Sequence, residues 1–355
     1  MSSASKIELF GVPPDALAQT LAAFCPQKFR AKQICKWIYG KGAFDFNEMT
    51  DLPKELRDKL ADSAMISLPE TIEEMRADDG AAKFLFQLSD GLKIESVYIP
   101  DAARGKHTIC LSTQVGCKFA CKFCATGAIG FKRNLTSTEI VGQLYIAREY
   151  ARHGGNEITN VVFMGMGEPL DNLDAALDAI KVMLSDVGFN LGHRKILIST
   201  IGFADGINKI MASGLRPKLA ISLNAPDNEL RAELMPATRK FPIESWLALV
   251  PEYAKHSKRY VTFEYVLLRD VNDSLEHANA LVKLMKSLPA KINLIPYNRV
   301  AGSPFASPDN RIVLRFQSYL LANGITATIR QSKGGAIAGA CGQLVAEECE
   351  VQSAK

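Results

Sequence analysis

Three cysteines within eight residues constrain this chain more than any other feature. They stand in Cys117-Lys118-Phe119-Ala120-Cys121-Lys122-Phe123-Cys124, at C-x3-C-x2-C spacing. Thiolates are soft ligands that select zinc, copper(I) or iron–sulfur clusters. A structural zinc ion normally closes its shell with four ligands, often from two C-x2-C pairs, and no second pair follows here. On a zinc reading, His107 or Cys110 completes the shell. The other reading is a four-iron cluster on three thiolates, which leaves one iron open to bind something else.

Among 355 residues, 47% are hydrophobic, enough for a large core in one domain or in one domain plus an accessory. No apolar run approaches the ~18 residues of a membrane span. The start, Met1-Ser2-Ser3-Ala4-Ser5-Lys6, has no signal-peptide core, so a soluble, cytoplasmic protein with no membrane partner is expected. In that compartment eight cysteines point to metal or redox chemistry rather than a disulfide framework. The net charge of +4 tolerates a nucleic-acid partner without demanding one.

Residues 1–65 read as a small helical unit, with helical periodicity at 13–24, 30–39 and 53–64 split by Pro26, Gly40 and Gly42. Lys28, Arg30, Lys32, Lys36 and Lys41 are interleaved with Phe29, Trp37 and Tyr39, and no acidic residue interrupts them. Cations beside aromatics suit phosphate contact and base stacking; they equally suit a helix with a solvated basic face and an aromatic core. Residues 66–106 form a linking region with a hairpin, strands 83–88 and 92–100 around Ser89-Asp90-Gly91. Glu95 lies on its second strand.

From residue 107 to 333 a strand-then-helix unit repeats. Strands are expected at 107–112, 160–164, 195–200, 218–224, 261–268, 291–296 and 325–330. Helices are expected at 137–152, 172–187, 204–213, 243–256, 274–287 and 311–323. Such alternation implies an α/β fold of parallel strands joined by right-handed crossovers. The strand number, with no Gly-rich dinucleotide fingerprint, favours a partial barrel, whose chemistry gathers at the carboxyl ends of the strands. The cysteine loop follows the first of these strands.

Other strand ends carry polar groups. The second runs into Met164-Gly165-Met166-Gly167-Glu168-Pro169, where glycines let a ligand approach the backbone and Glu168 can accept from an ammonium group. Ser199, then Ser222-Leu223-Asn224, then Asn298 follow at later tips. These residue types bind ribose or carboxylate groups and also cap helices and turns. Residues 334–355 form a C-terminal loop and tail in which glycines flank Cys341. Cys110 is its natural counterpart at the same mouth, whereas Cys25, Cys35 and Cys349 read as unrelated free thiols.

The C-x3-C-x2-C spacing followed one unit later by Gly167-Glu168-Pro169 resembles the radical S-adenosylmethionine (SAM) enzymes. Further motifs narrow the resemblance to the RlmN family of RNA methyltransferases over nearly the whole chain. They include Phe29-Arg30-Ala31-Lys32-Gln33, Met49-Thr50-Asp51-Leu52-Pro53, Glu95-Ser96-Val97-Tyr98-Ile99-Pro100 and Arg133-Asn134-Leu135-Thr136. Ser222-Leu223-Asn224-Ala225-Pro226 and Ala340-Cys341-Gly342-Gln343-Leu344 complete the set. Two positions depart from many relatives, Asn224 in place of His and Gly335-Ala336 in place of acidic residues.

The resemblance implies a radical SAM partial (β/α)6-type barrel with a helical accessory domain. It implies one 4Fe–4S cluster on Cys117, Cys121 and Cys124, two SAM molecules per turnover, and SAM contacts from Gly167, Glu168, Ser199, Ser222, Leu223, Asn224 and Asn298. The implied substrates are C2 of an adenosine in the peptidyl-transferase centre of 23S rRNA and the adenosine 3′ of the anticodon in some tRNAs. The implied partners also include a cellular reductant, and the chain is expected to be a monomer. In the implied reaction Cys341 takes a methyl from one SAM, and a 5′-deoxyadenosyl radical from the second removes a hydrogen from it. The carbon adds to C2, Glu95 accepts the proton, and Cys110 attacks Cys341 to release the product and leave a disulfide. A Cfr-like enzyme acting at C8 is the alternative, which Pro169 disfavours. A zinc-stabilised, non-catalytic RNA-binding protein is another.

Overall fold

The computed structural model describes residues 6–346. Cys349 and the first five residues lie outside the described residues. The N-terminal unit comprises β1 (Ile7–Glu8), α1 (Pro14–Thr20), α2 (Phe29–Cys35), α3 (Lys54–Ser63) and β2 (Ala64–Met65), with β1 paired in parallel to β2. Helix α2 buries Ala31, Ile34 and Cys35, the i, i+3, i+4 stripe of an amphipathic helix.

A ten-stranded sheet forms the rest of the scaffold. Strands β3 (Glu70–Arg76), β4 (Ala82–Gln87) and β5 (Lys93–Asp101) are antiparallel, and β5 pairs antiparallel with β6 (Lys106–Cys110), Val97 facing Cys110. The region read as a linker is therefore continuous with the sheet. A short antiparallel pair, β7 (Gln114–Gly116) and β8 (Phe131–Asn134), brackets the cysteine loop and α4 (Ala125–Ala128).

After α5 (Ser137–His153), strands and helices alternate as expected: β9 (Asn160–Phe163), α6 (Leu173–Leu184), β10 (Ile196–Thr200), α7 (Ala204–Ala212), β11 (Lys218–Ser222) and α8 (Asn228–Leu234). Then come α9 (Ile243–Leu247), α10 (Leu249–Ser257), β12 (Val261–Leu267), α11 (Leu275–Met285), β13 (Ala290–Pro296), α12 (Asn310–Ala322) and β14 (Ala327–Ile329). Strands β6 and β9 to β14 are all parallel. The helix expected over 243–256 is two helices, because Pro251 has no N–H to give the carbonyl of Leu247.

One hydrophobic core joins the N-terminal unit to the barrel. Tyr145 of α5 meets Phe10 and Phe44 edge-on, with centroids 5.8 and 5.3 Å apart. Ser137 and Thr138 at the start of α5 donate to the carbonyls of Gly11 and Phe10. Removing residues 1–65 would uncover this face, so a test of the unit's role needs surface substitutions rather than truncation. Among the described residues no helix is long and apolar enough to cross a membrane.

Candidate active site

A chamber of about 980 Å³, its open mouth included, lies at the carboxyl ends of the parallel strands. Cys117, Cys121, Cys124 and Cys341 all line it, with Gly167, Glu168, Ser199, Ser222, Asn224 and Asn298. The structure thus gathers ten of the residues singled out in the sequence. Leu223, Cys110 and Glu95 do not line it.

The cysteine loop is fixed at both ends and from below. The N–H of Cys117 donates to the carbonyl of Gly130 at 2.8 Å, and that of Lys122 to the carbonyl of Leu234 in α8 at 2.9 Å. Phe119, Ile201, Leu234, Met235 and Tyr297 form a small core under it. Burial pushes the Cys117 thiol up to about 12 and raises Cys121 and Cys124 as well, and a thiolate on one opposes ionisation of the next. A bound metal displaces those protons. Among the described residues no group of three or more His, Cys, Asp or Glu side chains is drawn together tightly enough to hold one metal ion. His107, the histidine offered above as a zinc ligand, sits at the amino end of β6, with Nδ1 2.6 Å from the Tyr98 hydroxyl. It belongs to the opposite end of the strand from the loop.

Gly167 has φ of 96°, and a Cβ there would stand 2.5 Å from Cβ of Gln114. Only glycine fits. The turn delivers Glu168 into the chamber wall, where its carboxylate accepts from the N–H of Ile201 at 2.9 Å and of Leu170 at 3.1 Å. Burial nevertheless raises its pKa to about 7.

Cys341 lies on a strap across the mouth. Asn298 Nδ2 donates to the carbonyl of Cys341 at 3.1 Å. Ala125 N–H donates to the carbonyl of Gly342 at 2.7 Å, and Thr126 Oγ1 to that of Leu344 at 2.7 Å. Beyond them Val345 N–H donates to Glu95 Oε2 at 2.8 Å, while Lys83 Nζ pairs with Oε1 at 2.8 Å. The glycine-flanked loop is pinned from four sides, and Glu95 is one of the pins.

Asn224 adopts φ of 57°, which asparagine tolerates, and spends its side chain within the fold: Oδ1 accepts from Val266 N–H at 2.8 Å. Leu223 is buried, its carbonyl taking a bond from Arg231. Cys110 lies just behind the wall, its thiol pushed up to about 12 by burial and further by Cys341 beside it, and opposed by Arg330.

The sequence reading passed over Arg330 and Glu264. Arg330 follows β14 and faces Cys110, Cys341 and Glu264 in one group, whose negative charge raises its pKa. Glu264 accepts from Asn293 Nδ2 at 3.0 Å, and its Oε2 is buried with no hydrogen-bond partner. A lone acid in the buried run of β12 was the available signal.

On the N-terminal unit, Phe29 is 54% exposed with the Arg30 guanidinium 4.8 Å from its ring, and Lys41 Nζ sits 3.4 Å over Trp37. Tyr39 is buried and its hydroxyl accepts from Gly11 N–H, so it belongs to the core rather than to a stacking surface.

Residues 7–66 match the ribosomal RNA large subunit methyltransferase N-terminal domain, and residues 111–282 match the radical SAM superfamily. The dual-specificity RNA methyltransferase RlmN of Halorhodospira halophila is 45% identical over 350 residues, 98% of this chain and 96% of that protein. The chain belongs to the RlmN family. The RlmN of Dichelobacter nodosus is 44% identical, across 96% of this chain and 94% of that protein. The crystal structure of a radical SAM methyltransferase from Sphaerobacter thermophilus superposes with a TM-score of 0.90 at 40% identity, covering 96% of this chain and 99% of that one. The fold is accordingly the radical SAM fold, and the RlmN family member described here is a SAM-dependent RNA methyltransferase. Radical SAM membership implies a 4Fe–4S cluster and SAM. The donor set fits: three soft thiols spread around one chamber suit a cluster bound corner by corner.

Proposed function

We propose that this chain methylates C2 of one adenosine in the peptidyl-transferase centre of 23S rRNA, and the adenosine 3′ of the anticodon in some tRNAs. The observation that carries this reading is Cys341 in the same chamber as Cys117, Cys121 and Cys124, with Cys110 behind it. When bound, the cluster supplies the electron for reductive cleavage of SAM, chemistry that no side chain offers.

The chain's own residues do the rest. Cys341 as thiolate attacks the methyl carbon of one of the two SAM molecules used per turnover, S-adenosylhomocysteine leaves with the electron pair of the broken bond, and Cys341 holds the carbon over the chamber. Cys110 as thiolate attacks the Cys341 sulfur: the S–S bond forms, the S–C bond breaks, and the carbon leaves with the electron pair and takes a proton from solvent to become the methyl group. The two thiols are oxidised in this step, and a cellular two-electron reductant restores them. Glu95 is the proton acceptor in this scheme, and its carboxylate is held by the Val345 N–H of the strap and by Lys83. Gly167, Glu168, Ser199, Ser222, Asn224 and Asn298 form the SAM-binding wall, and Leu223, whose carbonyl Arg231 holds, is buried behind it. Mass spectrometry of rRNA and tRNA from a deletion strain tests the assignment. Loss of 2-methyladenosine is the expected result; loss of the C8 isomer would make the enzyme Cfr-like, and unchanged RNA would overturn the proposal.

Glu168 gives a pH dependence. Its carboxylate must be ionised to hold the SAM ammonium, and burial places its pKa at about 7. SAM affinity is therefore full above that value and falls about tenfold per unit below it, with a proton released on binding near neutrality. Calorimetry in buffers of different ionisation enthalpy checks both; a flat profile from pH 8.5 to 6 would remove the ammonium contact.

The exposed cations of the N-terminal unit give a second test. Lys28→Ala with Lys32→Ala is expected to weaken RNA binding and reduce the salt slope by about 1.5, at ~0.7–0.9 per phosphate contact. An unchanged slope would place the RNA elsewhere.

A further inference from the structure

Arg330 lines this chamber and Arg231 lies behind its wall, and the two are compensated differently. Arg330 has Glu264 and two thiols around it. Arg231, in α8, is 1% exposed and makes no ion pair with a carboxylate among the described residues. Its guanidinium is instead saturated by five bonds. Nε donates to the carbonyl of Leu223 at 3.0 Å, Nη1 to Thr238 Oγ1 at 2.9 Å and to the carbonyl of Phe241 at 3.1 Å. Nη2 donates to the carbonyls of Ile201 at 2.5 Å and Ser222 at 2.9 Å. Trp246 covers one face, with its ring centroid 5.6 Å away.

Carbonyl dipoles and one hydroxyl satisfy the donors and leave the positive charge without a counter-ion, an unfavourable state in a buried site. The helix that carries Arg231 also supports the cysteine loop. Its Leu234 carbonyl takes the N–H of Lys122, and Leu230, Leu234 and Met235 pack with Cys117 and Cys121. The guanidinium itself reaches the chamber wall, because Ile201 and Ser222, whose carbonyls Nη2 holds, line the chamber together with Cys121. A 4Fe–4S core with three thiolates carries net negative charge and gains one more on reduction. A fixed cation stabilises the reduced form more than the oxidised one.

We propose that Arg231 is a positioning residue that supplies the counter-charge for the cluster and raises its reduction potential, so that a cellular one-electron donor can reduce it. The proposal rests on the radical SAM reading of the cysteine loop. The balanced step is one electron from an external donor to the oxidised cluster, with no bond made or broken.

The test is a dye-mediated redox titration of reconstituted enzyme, with dithionite as reductant, reading the paramagnetic signal of the reduced cluster beside iron content and melting temperature. At the potential where the wild type is half reduced, Arg231→Gln is expected to show at least a tenfold lower reduced-to-oxidised ratio, a shift of about 59 mV for one electron. Arg231→Lys keeps the charge and loses carbonyl bonds, so it should melt lower while its ratio stays within threefold of wild type. An unchanged ratio in the Gln variant, or a Lys variant shifted tenfold like a neutral one, would overturn the proposal. So would failure of both variants to hold iron, which leaves Arg231 a purely structural clamp. If the wild type itself takes up no cluster, the radical SAM reading fails instead.

Discussion

Enzyme purified from cells expressing Cys110→Ala is expected to carry RNA covalently attached through Cys341. A thiolate must strike the Cys341 sulfur to expel the carbon, and Cys110 is the thiol held beside it. Without it the adduct has no exit, and turnover should fall by at least a thousandfold, about 4 kcal/mol of barrier. Cys341→Ala should lose as much activity with no adduct at all, because the carbon is never loaded. Denaturing gels, nuclease digestion and peptide mass spectrometry separate the two. An adduct on another cysteine, or none in the Cys110 variant, would end the proposed division of labour.

The same geometry makes resolution sensitive to pH. Burial holds Cys110 near 12, so its thiolate fraction rises about tenfold per unit across the neutral range. Arg330 opposes that burial, and Arg330→Gln should accumulate the same adduct, with partial relief as pH is raised. A variant whose adduct level ignores pH would show that Arg330 acts by packing alone.

Replacement of Cys117, Cys121 or Cys124 by Ala should abolish iron binding and SAM cleavage together. Three thiolates already leave one iron open, so removal of another leaves two irons without protein ligands. Because burial raises all three thiols, iron uptake must release protons, and cluster loading should weaken as pH falls. Iron analysis and anaerobic SAM-cleavage assays decide it; a single Ala variant with full iron and normal cleavage would refute the ligand set.

Much of this architecture was legible because its signals are local. The strand–helix alternation from β6 to β14 rests on periodicities of two and 3.6 within single segments, and the cysteine loop is a motif of consecutive residues. Five of the seven strand ends were overrun by one or two residues where the tips turn aside to build the chamber. β3 went unread because its charged, largely exposed sequence, Glu70–Arg76, is that of a protected sheet edge rather than of a core strand. Arg231, Glu264 and Arg330 escaped notice for another reason. Each is an unremarkable charge in its own segment and acquires meaning from groups on other elements, such as the Ile201 carbonyl above Arg231, the Asn293 amide beside Glu264 and Cys341 beside Arg330. The glycines around Cys341 correctly marked a loop, but the bonds from Asn298, Thr126 and Glu95 that hold it are long-range and invisible in the local pattern.

The strap deserves its bonds to residues 125 and 126, which directly follow Cys124. Cys124 and the strap that carries Cys341 are thus tied to one short segment, so any displacement of the cysteine loop is transmitted to the strap through two hydrogen bonds.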